Sequence, residues 1–164
     1  MVVMIEDPAT SEALRTTFQT HYAQLVRLSF LLADDPSLSE DIVQDAFVRS
    51  ARRIAELDQD ARLPYLRAAV LNGWRNRRRH VSVEQRWAPA LGAESQLEQG
   101  AAEDRSAMWQ WICALPTRQR ACLVLRYYED LPEHEIAQLL GCRTGTVKSQ
   151  ISRALTKLRR VVDR

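Results

Sequence analysis

The 164 residues leave room for one or two small domains, and a formal net charge of +2 excludes neither a cationic nor an anionic partner. The 3 cysteines lie in apolar settings without metal-ligand spacing, which points to structural thiols in a reducing compartment rather than a disulfide framework or metal site. No apolar run approaches the ~20 residues of a spanning helix, and "MVVMIEDP" is too short for the apolar core of an export signal. A cytoplasmic protein without a membrane-bound segment is expected.

In chain order the pattern is helical, and an all-α fold is expected. "SEALRTTFQTHYAQLVRLSFLLA" places Leu14, Phe18, Tyr22, Leu25, Leu28 and Leu32 on one inner face. "DDPSLSEDIVQDAFVRSARRIAEL" follows, with Ser37 and Glu40 spaced as a capping box and Leu38, Ile42, Val43, Ala46, Phe47 and Ile54 facing inward. A third helix, "RLPYLRAAVLNGWRNRRR", is expected to begin near Pro64 and to end in arginines. Residues 80–102 scatter Gly, Pro, Ser, Gln and Glu without a sustained period, which predicts a flexible linker between a first domain at 11–79 and a second at 103–164. Each half is small enough to be marginal alone, so docking on a partner would help both.

The second domain closes on "EIAQLLGCRTGTVKSQISRALTKLRR". Ile136, Ala137, Leu139 and Leu140 give a short helix an apolar stripe, and Gly141 supplies the left-handed residue that ends it. Thr144 is the expected N-cap of the next helix, whose buried face repeats at Val147, Ile151, Ala154, Leu155 and Leu158. The other face is polar or cationic, and no acidic residue stands between Arg143 and Val162. Short hydrogen-bonding side chains at a helix N-terminus followed by Arg and Lys suit a major groove. Charge along the chain agrees: residues 1–60 carry a net −6, 61–89 +6, 90–112 −3 and 113–164 +5, two basic blocks for polyanion and an acidic first block for another partner. The histidines are scattered and no phosphate loop is present, so neither an enzyme nor a metal or cofactor site is expected. A stand-alone helix-turn-helix regulator is the alternative reading. It would have no need of the acidic "EDIVQD" helix.

"LSEDIVQDAFVRS", "YLRAAVLNGWRNRRR", "ALPTRQRACLVLRYYEDL" and "EIAQLLGCRTGTVKSQISRALTKLRR" stand in the order and spacing of the extracytoplasmic-function sigma factors of bacterial RNA polymerase, most closely the sigma-E-like group of actinobacteria. The resemblance implies a region 2-like domain that binds core polymerase and melts the −10 element, and a region 4-like domain that reads −35. Its partners would be core RNA polymerase, promoter duplex, the melted −10 strand and, as for many relatives, an anti-sigma factor. Asp41, Gln44 and Asp45 match the family's core-binding helix; the competing reading is that Asp45 simply pairs with Arg49 at i+4. Asn72, Trp74, Arg75, Asn76, Arg77, Arg78 and Arg79 match its −10 helix; Trp74 and Tyr65 are candidates to stack on an unpaired base, with core packing the expectation for Tyr65. An extruded base would be held by the preceding loop, here "ELDQDARLP". Arg143, Thr144, Thr146, Lys148, Ser149, Gln150, Ser152, Arg153 and Lys157 match the −35 helix. The chain departs from the family at Gln150, usually Arg or His, and at Pro132, usually Ser or Thr.

Overall fold

The computed structural model describes residues 8–87 and 107–162, with side chains described for 8–79 and 107–161. Seven helices occur among the described residues: α1 Pro8–Ala33, α2 Pro36–Glu56, α3 Gln59–Trp87, α4 Ala107–Cys113, α5 Thr117–Tyr127, α6 Glu133–Leu140 and α7 Thr144–Val162. They divide into two compact units, Met1–Arg78 and Arg79–Arg164.

In the first unit α1 packs along α2. Leu25, Leu28 and Leu32 of α1 and Ile42, Val43, Ala46, Phe47 and Ile54 of α2 are all buried. Leu14 and Tyr22 sit at the margin of this core. Phe18, expected inside, is 41% exposed. It stacks on Tyr22 at 4.3 Å between ring centroids and meets Phe47 edge-on at 5.1 Å, so its ring caps the core from outside.

The starts of α2 and α3 differ from expectation. Asp35, not Ser37, caps α2: its Oδ1 accepts from the Leu38 amide at 2.9 Å, and Pro36 follows at the first helical position. Proline's fixed φ suits that position and its missing N–H costs nothing there, which sets the cap one residue before it. Ser37 and Glu40 are exposed within the helix and form no capping box. α3 begins at Gln59, with Pro64 inside the helix rather than at its start. The Asp58 carbonyl accepts from the Ala61 amide at 3.0 Å, and the Arg62 guanidinium reaches back to the Leu57 carbonyl at 3.2 Å and across to Thr17 Oγ1 at 3.3 Å. These contacts anchor the start of α3 upstream of the proline. The helix also continues to Trp87, so residues 80–87 of the expected linker are helical. The remainder of that linker, 88–102, lies outside the described residues.

In the second unit α7 is the central element, packed on α4, α5 and α6. Leu115, Leu123 and Ala154 are buried together, with Ile112, Leu155 and Leu158 against them. α6 ends in a Schellman turn at Gly141, φ 63°, whose amide bonds to the Gln138 carbonyl while the Cys142 amide bonds to that of Ala137. That turn fixes the approach of α6 to α7. Pro132 caps α6 without a side-chain hydrogen bond. Thr144 is the first residue of α7 rather than its cap; the Arg143 carbonyl accepts from Thr146 and Val147.

Candidate nucleic-acid interface

α7 separates its two faces cleanly. Val147, Ile151 and Ala154 are buried, whereas Arg143, Thr144, Lys148, Ser152, Arg153 and Lys157 are exposed. Thr144, Lys148 and Ser152 follow one another at i, i+4 and i+8 along the outer stripe. Thr146, Ser149 and Gln150 are half-buried at its edge, and the Ser149 hydroxyl donates to the Thr146 carbonyl at 2.8 Å. Ser149 therefore offers a groove only its lone pairs. One carboxylate does reach this surface. Glu133 Oε2, at the start of α6, lies 3.7 Å from Lys148 Nζ, a pairing across the turn that α7's own sequence does not contain.

α3 is arranged differently. Its buried face is Leu66, Val70, Leu71 and Trp74. Trp74 is only 4% exposed and carries Arg78 over its ring at 5.4 Å. The expectation that Trp74 contacts DNA is corrected on that ground, because a ring held in the core cannot stack on a base without unpacking it. Tyr65 shows the reverse: 39% exposed, it begins an outer stripe that continues through Asn72, Asn76 and Arg79 at i+7, i+11 and i+14. The signal was the spacing itself, since Trp74 lies at i+4 from Val70 and i+3 from Leu71. Arg75 is half-buried, while Arg77, Arg78 and Arg79 are exposed. The loop expected over 56–64 shrinks to Leu57 and Asp58 between α2 and α3.

On α2, Asp41, Gln44 and Asp45 are all exposed on one face. The same face carries Val48, 57% exposed, at i+3 from Asp45 and i+4 from Gln44, a position that sequence reasoning passed over. An isolated apolar side chain amid acids suits a protein surface better than a polyanion. Asp45 Oδ2 is 3.5 Å from Arg49 and 4.0 Å from Arg77 of α3, so the within-helix pair occurs with a second arginine in reach.

Residues 105–158 match the family described as "Sigma-70, region 4". The RNA polymerase sigma-E factor of Streptomyces avermitilis is 34% identical over 152 residues, covering 88% of this chain and 82% of that protein. Its counterpart in Streptomyces coelicolor is 35% identical over 148 residues, covering 86% and 81%. The chain belongs to the RNA polymerase sigma factors. Within them it is a sigma-E-like factor of the extracytoplasmic-function class; the class member SigM of Mycobacterium tuberculosis is 28% identical over 88% of the chain and 74% of that protein. The fold agrees. The sigma factor RpoE of Bartonella quintana, solved with the anti-sigma factor NepR, superposes with a TM-score of 0.69 at 19% identity over 91% of this chain and 96% of that one. CnrH, solved with the cytosolic domain of CnrY, gives 0.60 at 19% identity over 94% and 95%.

The sigma factor's thiols stand apart from these surfaces in chemistry. Burial pushes Cys122 up to about 11, with Cys142 nearby adding to the rise, so it stays a neutral thiol at physiological pH. Cys113 and Cys142 are half-buried. Among the described residues no group of three His, Cys, Asp or Glu side chains could hold a metal ion, and no helix is long and apolar enough to cross a membrane.

Proposed function

We propose that this sigma factor binds core RNA polymerase through the α2 face of Asp41, Gln44, Asp45 and Val48, opens the −10 element along α3, and reads the −35 element with α7. On α3 the contacts come from Tyr65, Asn72 and Asn76 to bases and from Arg75, Arg77 and Arg79 to the backbone. The N-terminal part to Arg79 does the first two tasks, the part from 103 onward does the third, and the segment between links them. The factor works in the cytoplasm and performs no chemistry of its own, since bond formation belongs to the polymerase. RpoE and CnrH are each seen with a second protein, and a restraining protein partner of the anti-sigma class is part of this reading.

The observation that carries the assignment is α7: an uninterrupted polar and cationic outer face, begun by short side chains, on a two-helix turn fixed by Gly141 and lying within the region 4 match. A stand-alone regulator would need none of the acidic α2 face. The decisive experiment reverses Asp41 and Asp45 to lysine. Core binding in a pull-down is expected to disappear while the circular dichroism spectrum is unchanged; full core affinity in that variant would remove α2 from the interface. In parallel, Lys148→Ala and Arg153→Ala are expected to reduce run-off transcription from a promoter with an intact −35 more than from one with that element scrambled. Equal losses would make the contact non-specific.

A further inference from the structure

Lys148 does not stand alone on the α7 face. Its ammonium lies 3.7 Å from Glu133, with the two side chains 65% and 33% exposed. Glu133 opens α6, where Pro132 provides no side-chain cap, and Glu135 lies in the same first turn. In a helix-turn-helix the first helix crosses the phosphate backbone while the second enters the groove. The carboxylate at the start of α6 thus draws a cation from the helix that reads bases.

We propose that Glu133 is a positioning residue that sets −35 specificity by holding the Lys148 ammonium toward the groove floor. This rests on the reading of α7 as the −35 helix. A lysine ammonium has three donors, so one can stay with Glu133 while another meets a base acceptor such as guanine O6 or N7. The pair survives in the matched complex. A phosphate on unrelated DNA lies above the groove floor, and reaching up to it strains the contact with Glu133. The carboxylate also repels that phosphate. Both effects weaken non-specific binding and leave matched binding intact, so removing the carboxylate should narrow the gap between the two. Exposed pairs are weak, and the effect is accordingly a few-fold rather than a thousand-fold.

The test uses holoenzyme assembled from this factor and core polymerase, on a duplex promoter fragment and on the same fragment with its −35 element scrambled. Glu133→Gln is expected to raise affinity for the scrambled fragment by about two- to fivefold, the range an exposed pair can supply, with no gain on the matched one. The salt dependence on scrambled DNA should steepen by up to about 1 in log–log slope, as one more phosphate contact forms. Glu133→Asp should restore part of the discrimination. In a Lys148→Ala background Glu133→Gln should lose most of its effect. If Glu133→Gln strengthens both fragments equally, and does so with or without Lys148, the carboxylate acts by plain repulsion and the positioning role is overturned. If Lys148→Ala leaves matched binding untouched, the α7 assignment itself fails and the proposal fails with it.

Discussion

α3 and α7 each present a cationic face among the described residues, yet their charges stand in different circumstances. In α7 the cations lie opposite an apolar stripe, and Lys148 meets its carboxylate across the turn to α6. In α3 the basic residues are drawn into the unit's own architecture: Arg62 reaches Thr17 and the Leu57 carbonyl, Arg78 lies over Trp74, and Arg77 approaches Asp45. Counting arginines therefore overstates the charge that α3 can offer DNA and describes α7 fairly. A guanidinium packs on rings and carbonyls as readily as on phosphate. This makes α3 as much a structural element as a reading one.

Substituting Tyr65 and Trp74 of α3 tests that division with the largest expected effects. Trp74→Ala should destabilise the first unit by about 3–5 kcal/mol, the usual cost of emptying a buried aromatic site, read from urea or thermal unfolding. Tyr65→Ala should shift stability by only about 0.5 kcal/mol, as surface changes do, but slow −10 opening in a permanganate footprint of the holoenzyme. A stacked base is worth about 1–3 kcal/mol, so the opening defect should be roughly five- to 150-fold. If Trp74→Ala left unfolding unchanged, the contrast between a buried and a reading aromatic would collapse.

The two helices also use glycine differently. A Cβ built on Gly73 would lie 3.2 Å from Ile42 Cγ2, so this glycine marks the close approach of α3 to α2. At Gly145, in the first turn of α7, a Cβ would meet nothing within 4 Å. Gly73→Leu should therefore cost about 1–3 kcal/mol by overpacking. Gly145→Ala should be neutral or stabilising by up to about 1 kcal/mol through helix propensity. If Gly145→Ala nonetheless weakens −35 binding in a mobility shift, the bare backbone there serves DNA approach rather than folding.

Much of this arrangement was legible in the sequence, and the parts that were not have physical reasons. The buried face of α7 could be read because Val147, Ile151, Ala154, Leu155 and Leu158 keep one phase, and Gly141 takes the left-handed stop seen at φ 63° without the steric cost other residues pay. The α2 core was legible for the same reason. Its cap was not, because Ser37 and Glu40 have capping-box spacing and only the preference of Pro36 for the first helical position favours Asp35. The phase of α3 was misjudged at Tyr65 and Trp74, where weighing aromatics one at a time ignored their register with Leu66, Val70 and Leu71. Its extent was underestimated too. "HVSVEQRW" holds no Pro or Gly, and the breakers Pro89 and Gly92 come only afterwards. Glu133 beside Lys148 was invisible to any reading of α7 alone, since the two meet only when the turn is built.

The smallest effect separates the faces most finely. Arg77 and Asp45 are 47% and 53% exposed and 4.0 Å apart, while Arg49 competes for the same carboxylate oxygen at 3.5 Å. An exposed and shared pair contributes little to stability, and a double-mutant cycle with Arg77→Ala and Asp45→Ala should give a coupling of about 0.2–1 kcal/mol at low salt that fades as salt rises. Each single variant should still lose its own binding function, DNA for Arg77 and core polymerase for Asp45. A coupling near 2 kcal/mol that persisted in high salt would mean that Arg77 belongs to the α2–α3 contact. The cationic face of α3 would then reduce to Arg75 and Arg79, and the contrast with α7 would be wider than drawn.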